Sequence, residues 1–428
     1  QERRSRARRE VPNIAHSARG ATPQVLRGHV VGGIEMETAI CGASALAYWR
    51  TPPVVRAICF SGDDATDLPV DGRRLAEVRR EAHRELGIWR HGSLGISAGR
   101  PASSAVALDV LDAAARIAPS VEPPVDVLVS SREGRRRSSL LRPHVIAPAL
   151  ADHELVRVTR TLCVTSPELT LLTLASSLTL AQLVMVASEL CGTFSVYRPP
   201  KSVEALLEEL NRDGLLPRMS SWVPSFEGGA LSDLWSRPRL TTPERLLDLA
   251  RRAHGRRGCR MLERAARLCV PLAASPLEVQ AGMLLGLPPE LGGEGYAGFS
   301  HNHEVVLDVP ARRIARRAAC RCDLFWPGEE GRRALDLECH SRLYHGGEGQ
   351  ALSDADRTTA LQGVGVEVLL VTYGQLESPA RFDALSGMVA EKIGRTPPSH
   401  TEGFLAARAD LRSQVLVSWA SLASGDGR

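Results

Sequence analysis

In Leu335-Asp-Leu-Glu-Cys-His340, apolar and ionisable side chains alternate without a break. Successive side chains of a strand point to opposite faces. The run therefore sets Leu335, Leu337 and Cys339 on one side, and Asp336, Glu338 and His340 on the other. Carboxylates lined up on one face of a strand repel one another unless a cation or a proton intervenes. Any fold that accepts this strand must bury one side of it and answer the charge on the other.

The flanking sequence predicts the elements around it. Ser275-Pro-Leu-Glu278 is a helix start, with Ser as cap, Pro in the first turn and Glu278 placed to close a capping box. The helix runs to about Leu285, before Leu287-Pro-Pro289. Strands are expected over Glu304–Val309, Ala318–Trp326 and Arg333–Cys339, the last two as a hairpin around Pro327–Gly331. A helix over Gln350–Gly363 and a buried strand over Val366–Thr372 complete an αβββαβ order, which is that of the restriction-endonuclease core. Arg321, Asp323 and Phe325 share a side of the first hairpin strand, and if that side is also Glu338's, two carboxylates converge. Such a pair can bind a hard Mg²⁺, which activates water and neutralises charge building on a phosphate.

Upstream, residues 1–22 read as a flexible arm with five arginines before Glu10. Residues 23–200 read as an α/β domain, with strands at Val55–Phe60, Val125–Ser130 and Leu155–Val164, a helix over Pro101–Ile117 and a turn into a short helix at Cys41–Trp49. Residues 201–272 read as a helical connector: helices at Lys201–Asp213 and Thr242–Val270, the latter broken at Gly255 and Gly258, around a loop at Met219–Pro238. The nuclease-like domain spans 273–395, and 396–428 is a tail. The fold class is mixed α/β.

Composition fits this reading but does not assign a function. Net charge is only +4, and all but Lys201 and Lys392 of the 53 basic residues are arginine, which is compatible with a nucleic-acid partner without arguing for one. The nine cysteines form no C-x-x-C pair, only Cys320-Arg-Cys322, so neither a zinc site nor a disulfide framework is indicated; reduced thiols in the cytoplasm are the simpler reading. The first ten residues are basic with no apolar stretch behind them, so no secretory signal is expected. Leu169–Ser188 is uncharged but diluted with Ser and Thr, and is expected to form two short buried helices and no membrane span.

Arg321-Cys-Asp-Leu-Phe-Trp-Pro, Leu335-Asp-Leu-Glu, Tyr344-His345 and Asp354-x-Asp-Arg-x-x-x-Leu361-x-x-x-Gly365-Val-Glu-Val, in this order, resemble the very-short-patch-repair-like endonuclease domains. In the first half, Cys41-Gly-Ala-Ser-Ala-Leu-Ala, Arg142-Pro-His144 and Val164-Thr-Ser-Pro-Glu168 resemble the carboxy-terminal domain of the AbiEi antitoxin. The first resemblance implies metal-ligand roles for Asp323 and Glu338, with Glu278 in support and Mg²⁺ or Mn²⁺ as cofactor. It places His345 as a general acid or water-orienting group. His340 stands where the wider superfamily has a lysine, no lysine lies near, and as a catalytic residue it could polarise a phosphate or bind metal when neutral. Arg357 can reach a DNA phosphate. Two functions stay open: a metal-dependent DNA endonuclease, or a catalytically inactive AbiEi-like antitoxin or regulator that binds DNA or a partner toxin protein.

Overall fold

In a computed structural model of the chain, the described residues are 38–60, 68–86, 110–129 (apart from 112, 116 and 119), 139–159, 162–329, 331–340 and 348–422, with the side chains of 348–353 excluded. The basic arm, Tyr344, His345 and most of the Pro101–Ile117 helix lie outside them.

The architecture is mixed α/β, with three sheets. The first has the order β3-β2-β1-β5-β4, from β1 (Thr38–Ile40), β2 (Val125–Val129), β3 (Leu141–Val145), β4 (Leu155–Arg157) and β5 (Leu162–Thr165). Leu155–Val164, expected as one strand, is an antiparallel pair, β4 and β5. Cys41 leads into a helix, Gly42–Arg50. Gly42 has φ +54°, and a Cβ there would stand 3.0 Å from the Asp126 carboxyl, so the turn depends on glycine.

A second, three-stranded sheet has the order β6-β8-β7, with β6 at Phe194–Val196, β7 at Val223–Glu227 and β8 at Ala230–Ser236. Two expectations are corrected in the cluster beneath it. Met219–Pro238 is a β-hairpin turned by Gly228 and Gly229, where a loop was expected. Val55–Phe60 belongs to a helix, Pro53–Cys59. Val54, Val55, Ile58 and Cys59 are buried at helical spacing, which outweighs the strand preference of β-branched residues.

The expected pair of short helices around Leu169–Ser188 is found at Pro167–Leu174 and Leu180–Cys191. No helix of the described residues is long and apolar enough to cross a membrane. The main core runs from Ile40 through these helices to Leu422. The expected tail at 396–428 is therefore corrected: Glu402–Val415 is a helix that buries Phe404, Leu411 and Val415, and Trp419 and Leu422 follow it into the core.

The third sheet has the order β12-β11-β10-β9: β9 at Ser300–Val306, β10 at Ala319–Trp326, β11 at Ala334–His340 and β12 at Val366–Thr372. β9, β10 and β11 are antiparallel neighbours, and β12 runs parallel to β11 after the helix Glu348–Gly363. The helix Pro276–Gly286 precedes them, and a short helix, Val309–Ala315, is inserted between β9 and β10.

Candidate functional site: a buried carboxylate cluster

β11 lies between β10 and β12, so both of its edges are paired, and packing on either side encloses its faces. Leu335 and Leu337 enter the main core on one face. On the other, Asp336 is 0% exposed and Glu338 5%. Removing an ionised carboxylate from water is costly unless it is paired and hydrogen-bonded. No N–H or cationic group bonds either oxygen of Asp336, whose neighbours are the Glu338 carboxyl and the Cys322 thiol. Burial pushes its carboxyl up from the ordinary range. Burial likewise raises Glu338 to about 9, with Asp336 beside it adding to the shift and Arg357 opposing it.

On β10 the alternation breaks at Asp323. Cys320 and Cys322 pack with Phe325 in a small outer cluster, whereas Leu324 and Trp326 enter the main core. Residues two apart thus end up on opposite faces. β9 breaks at the same level: His301 packs edge-on to Phe299, His303 stacks on Phe325, and Asn302 between them has φ +50°. The ladder to β11 begins only at Leu324, opposite Leu337. The expectation that Arg321, Asp323 and Phe325 share a side is corrected by this break. Phe325 faces the outer cluster, while Asp323 turns its carboxylate toward the β11 backbone, where the Cys339 N–H donates to Oδ2 at 2.8 Å.

Glu278 reaches the same place from the helix Pro276–Gly286. It accepts from the Ser275 hydroxyl at 2.9 Å and from the Ala274 N–H at 2.8 Å, so its reach-back falls one residue before the cap where a capping box would use the cap's own N–H. The second Glu278 oxygen also lies 3.4 Å from Asn302 Nδ2. Burial first, and then Asp323, raises Glu278 to about 8. Burial first, and then Glu338, raises Asp323 to about 7, with the Cys339 N–H and Arg357 opposing. The two carboxylates meet as neighbours across the break in β10. They do not line one open face.

Among the described residues, a single cationic side chain is hydrogen-bonded within this group. Arg357, on the helix Glu348–Gly363, donates from Nη1 to Glu338 Oε2 at 2.6 Å and from Nη2 to Oε1, a bidentate pair, and also meets the Arg321 carbonyl. Placed as a phosphate contact from sequence, it is here the counter-ion of Glu338.

The structure thus brings Glu278, Asp323, Glu338 and Arg357 together. His340 ends β11 at the margin of the group, lowered by burial and opposed by Asp354. His345 lies outside the described residues. Three participants escaped the sequence reading. Asp336 stood in the alternation, two residues before Glu338, but was not taken as a ligand. Cys322 lies with Asp336 and Glu338 so that one ligand atom of each falls within 4.8 Å of the others. Its thiol is raised by burial and then by Asp336, so it stays protonated. His301 is buried and lowered to about 4 by burial, with the Asp323 backbone opposing, hence neutral.

As donors, the carboxylates of Asp336, Glu338 and Asp323 are hard oxygens suited to Mg²⁺ or Mn²⁺, and the Asp336 oxygens, which no N–H or cation bonds, fit a bound cation. Set against known proteins, the chain matches no family model, no curated protein and no solved structure.

Proposed function

We propose that the carboxylate cluster is the divalent-cation site of a DNA-cleaving enzyme built on a restriction-endonuclease-like core. One observation carries the reading: Asp336 is fully enclosed with no N–H or cation on either oxygen, its neighbours being the Glu338 carboxyl and the Cys322 thiol, and among the described residues Arg357 is the cation bonded within the group. That imbalance is relieved by protons or by a cation. Asp336 and Glu338, with ligand atoms within 4.8 Å of each other, would hold the ion, Asp323 would join them only by turning from the Cys339 N–H, and Glu278 would stay tied to its helix start. A bound Mg²⁺ or Mn²⁺ would supply the acidity that turns water into a nucleophile and the charge that steadies the phosphate. Arg357 must leave Glu338 for the ion to enter, and its fork then becomes available to a phosphate oxygen.

The bidentate Arg357–Glu338 pair favours a second reading, in which the arginine permanently replaces the ion and the chain binds DNA or a toxin-like partner without cutting. A plasmid assay separates the two. With Mg²⁺ or Mn²⁺ the parent chain is expected to nick or linearise supercoiled plasmid, and Asp323→Ala and Glu338→Ala are expected to fall to background. A correctly folded parent that neither binds the ion nor cuts would leave only the second reading.

A further inference from the structure

The connection between β9 and β10 concentrates two features that a surface without a partner has no use for. Arg312, Arg313, Arg316 and Arg317 are all exposed on the short helix Val309–Ala315 and the turn that follows it, and Arg321 is exposed two residues before Asp323. Among the described residues none of the five makes an ion pair. The carboxylates of the same stretch leave four of them, Arg312, Arg313, Arg316 and Arg317, without a facing charge. Asp308 is occupied as the helix cap, accepting from the Ala311 N–H at 2.9 Å, and Glu304 lies opposite Arg321 in the β9–β10 ladder. Arginines this close in sequence repel one another. Large apolar side chains of the same stretch are exposed as well: Val306 is 67% exposed and Val309 61%, with Ile314 also open to solvent.

The stretch leads to the carboxylate cluster. The helix Val309–Ala315 packs on the helix Glu348–Gly363, which carries Arg357. Arg317 lies near the Cys320 thiol. The Arg321 carbonyl is held by Arg357 itself. Four guanidinium groups without carboxylate partners, exposed aliphatic side chains beside them in the chain and an acidic site at one end fit a duplex lying across the surface, with its phosphates on the arginines and its sugars and base edges on the aliphatics. An anionic bilayer fits less well, because the helix has seven residues and no aromatic anchor.

We infer that Arg312, Arg313, Arg316 and Arg317, with Val306, Val309 and Ile314 beside them in the chain, form the surface that takes the phosphate backbone of duplex DNA. The inference rests on the DNA reading above and extends it to where the duplex lies. Binding of a fluorescein-labelled duplex of about 30 base pairs is measured by anisotropy, with Ca²⁺ replacing Mg²⁺, across a series of salt concentrations. The variant R312A/R313A/R316A/R317A is expected to bind at least about tenfold more weakly near 0.1 M salt, with a salt slope smaller by roughly 3 to 4. Replacing the four by lysine is expected to restore most of the affinity, because a phosphate accepts either cation. Four further exposed arginines without ion pairs, Arg256, Arg257, Arg260 and Arg264, provide a control of equal charge change. Their replacement by alanine is expected to alter binding little. The proposal falls if the parent does not bind the duplex, if the first variant binds like the parent while keeping its melting temperature, or if the control loses as much. Patch-dependent binding without cleavage would end the catalytic reading and leave this surface standing. Cleavage with binding indifferent to the patch would do the reverse.

Discussion

Among the buried glutamates of the described residues, Glu189 and Glu338 differ most plainly in how their charge is answered. Glu189, fully enclosed on the helix Leu180–Cys191, accepts from Arg50 Nε at 3.0 Å, from Arg50 Nη2 at 2.6 Å and from Trp419 Nε1 at 2.8 Å. Arg50 spends a further donor on the Leu422 carbonyl at 3.1 Å, and Arg237 holds the Glu189 backbone carbonyl at 2.8 Å. Both carboxylate oxygens are used, and the groups come from three distant parts of the chain. Around Glu338 the balance is reversed: among the described residues Arg357 pairs with Glu338, Glu278 and Asp323 have only neutral donors, and Asp336 lies against the Glu338 carboxyl and the Cys322 thiol with no cation of its own. A buried charge whose partners are all supplied by the fold acts as a fastening. One whose partners are missing is an opening for something the chain does not itself contain.

The largest effect expected from this contrast is at the fastening. Glu189→Ala would leave Arg50 enclosed without its carboxylate and release Trp419 and Leu422, at a cost of about 3–5 kcal/mol. Urea unfolding of parent and variant measures it. A loss below about 1 kcal/mol would show that Glu189 is no more essential to the fold than an ordinary surface pair.

Arg357→Ala should do less to stability and more to the response to ions. Its guanidinium is about a quarter exposed, with side-chain accessibility of 23%, so solvent already screens part of the pair. A loss of about 1–2 kcal/mol is expected without divalent ions at neutral pH. With the internal cation gone, Mg²⁺ or Mn²⁺ should then raise the melting temperature of the variant by more than that of the parent. Scanning fluorimetry with and without metal gives the comparison. A smaller rise in the variant would mean that Arg357 helps to build the ion site and does not compete for it.

The difference between the two places was only partly legible in the sequence. The alternation in residues 335–340 placed Leu335 and Leu337 against Asp336 and Glu338 correctly, because one residue per step is a property of any strand. The break at Asp323 could not be read, since it depends on Asn302 adopting φ +50° on a neighbouring strand twenty-one positions away. The fastening went unseen for a similar reason: nothing near Glu189 in sequence announces Arg50 or Trp419. Other misses were local and avoidable. Phe404, Leu411 and Val415 repeat at helical spacing in what was taken for a tail. In the stretch taken for a loop, Gly228-Gly229 stands between two runs that pair as strands.

The smallest effect bears most directly on the contrast, because it tests whether the surplus charge exists. Asp323, Glu278 and Glu338 are raised to about 7, 8 and 9, and Asp336 is raised too, against ordinary values near 4 in the unfolded chain. Between about pH 4.5 and 8 the folded chain therefore holds protons that the unfolded chain has released. Stability is fully present below that window and falls as pH rises through it. Asp336→Asn fixes one member in a neutral form of the same shape. It should leave stability near pH 4.5 unchanged and raise it at pH 8 by on the order of 1 kcal/mol. In the parent, a divalent ion should stabilise more at pH 8 than at pH 5, since ionised carboxylates are what it binds. Thermal melts of both proteins at the two pH values decide the matter. If the parent were as stable at pH 8 as at pH 5 without metal, or if Asp336→Asn destabilised it at pH 8, the cluster would be balanced by groups of its own, as Glu189 is.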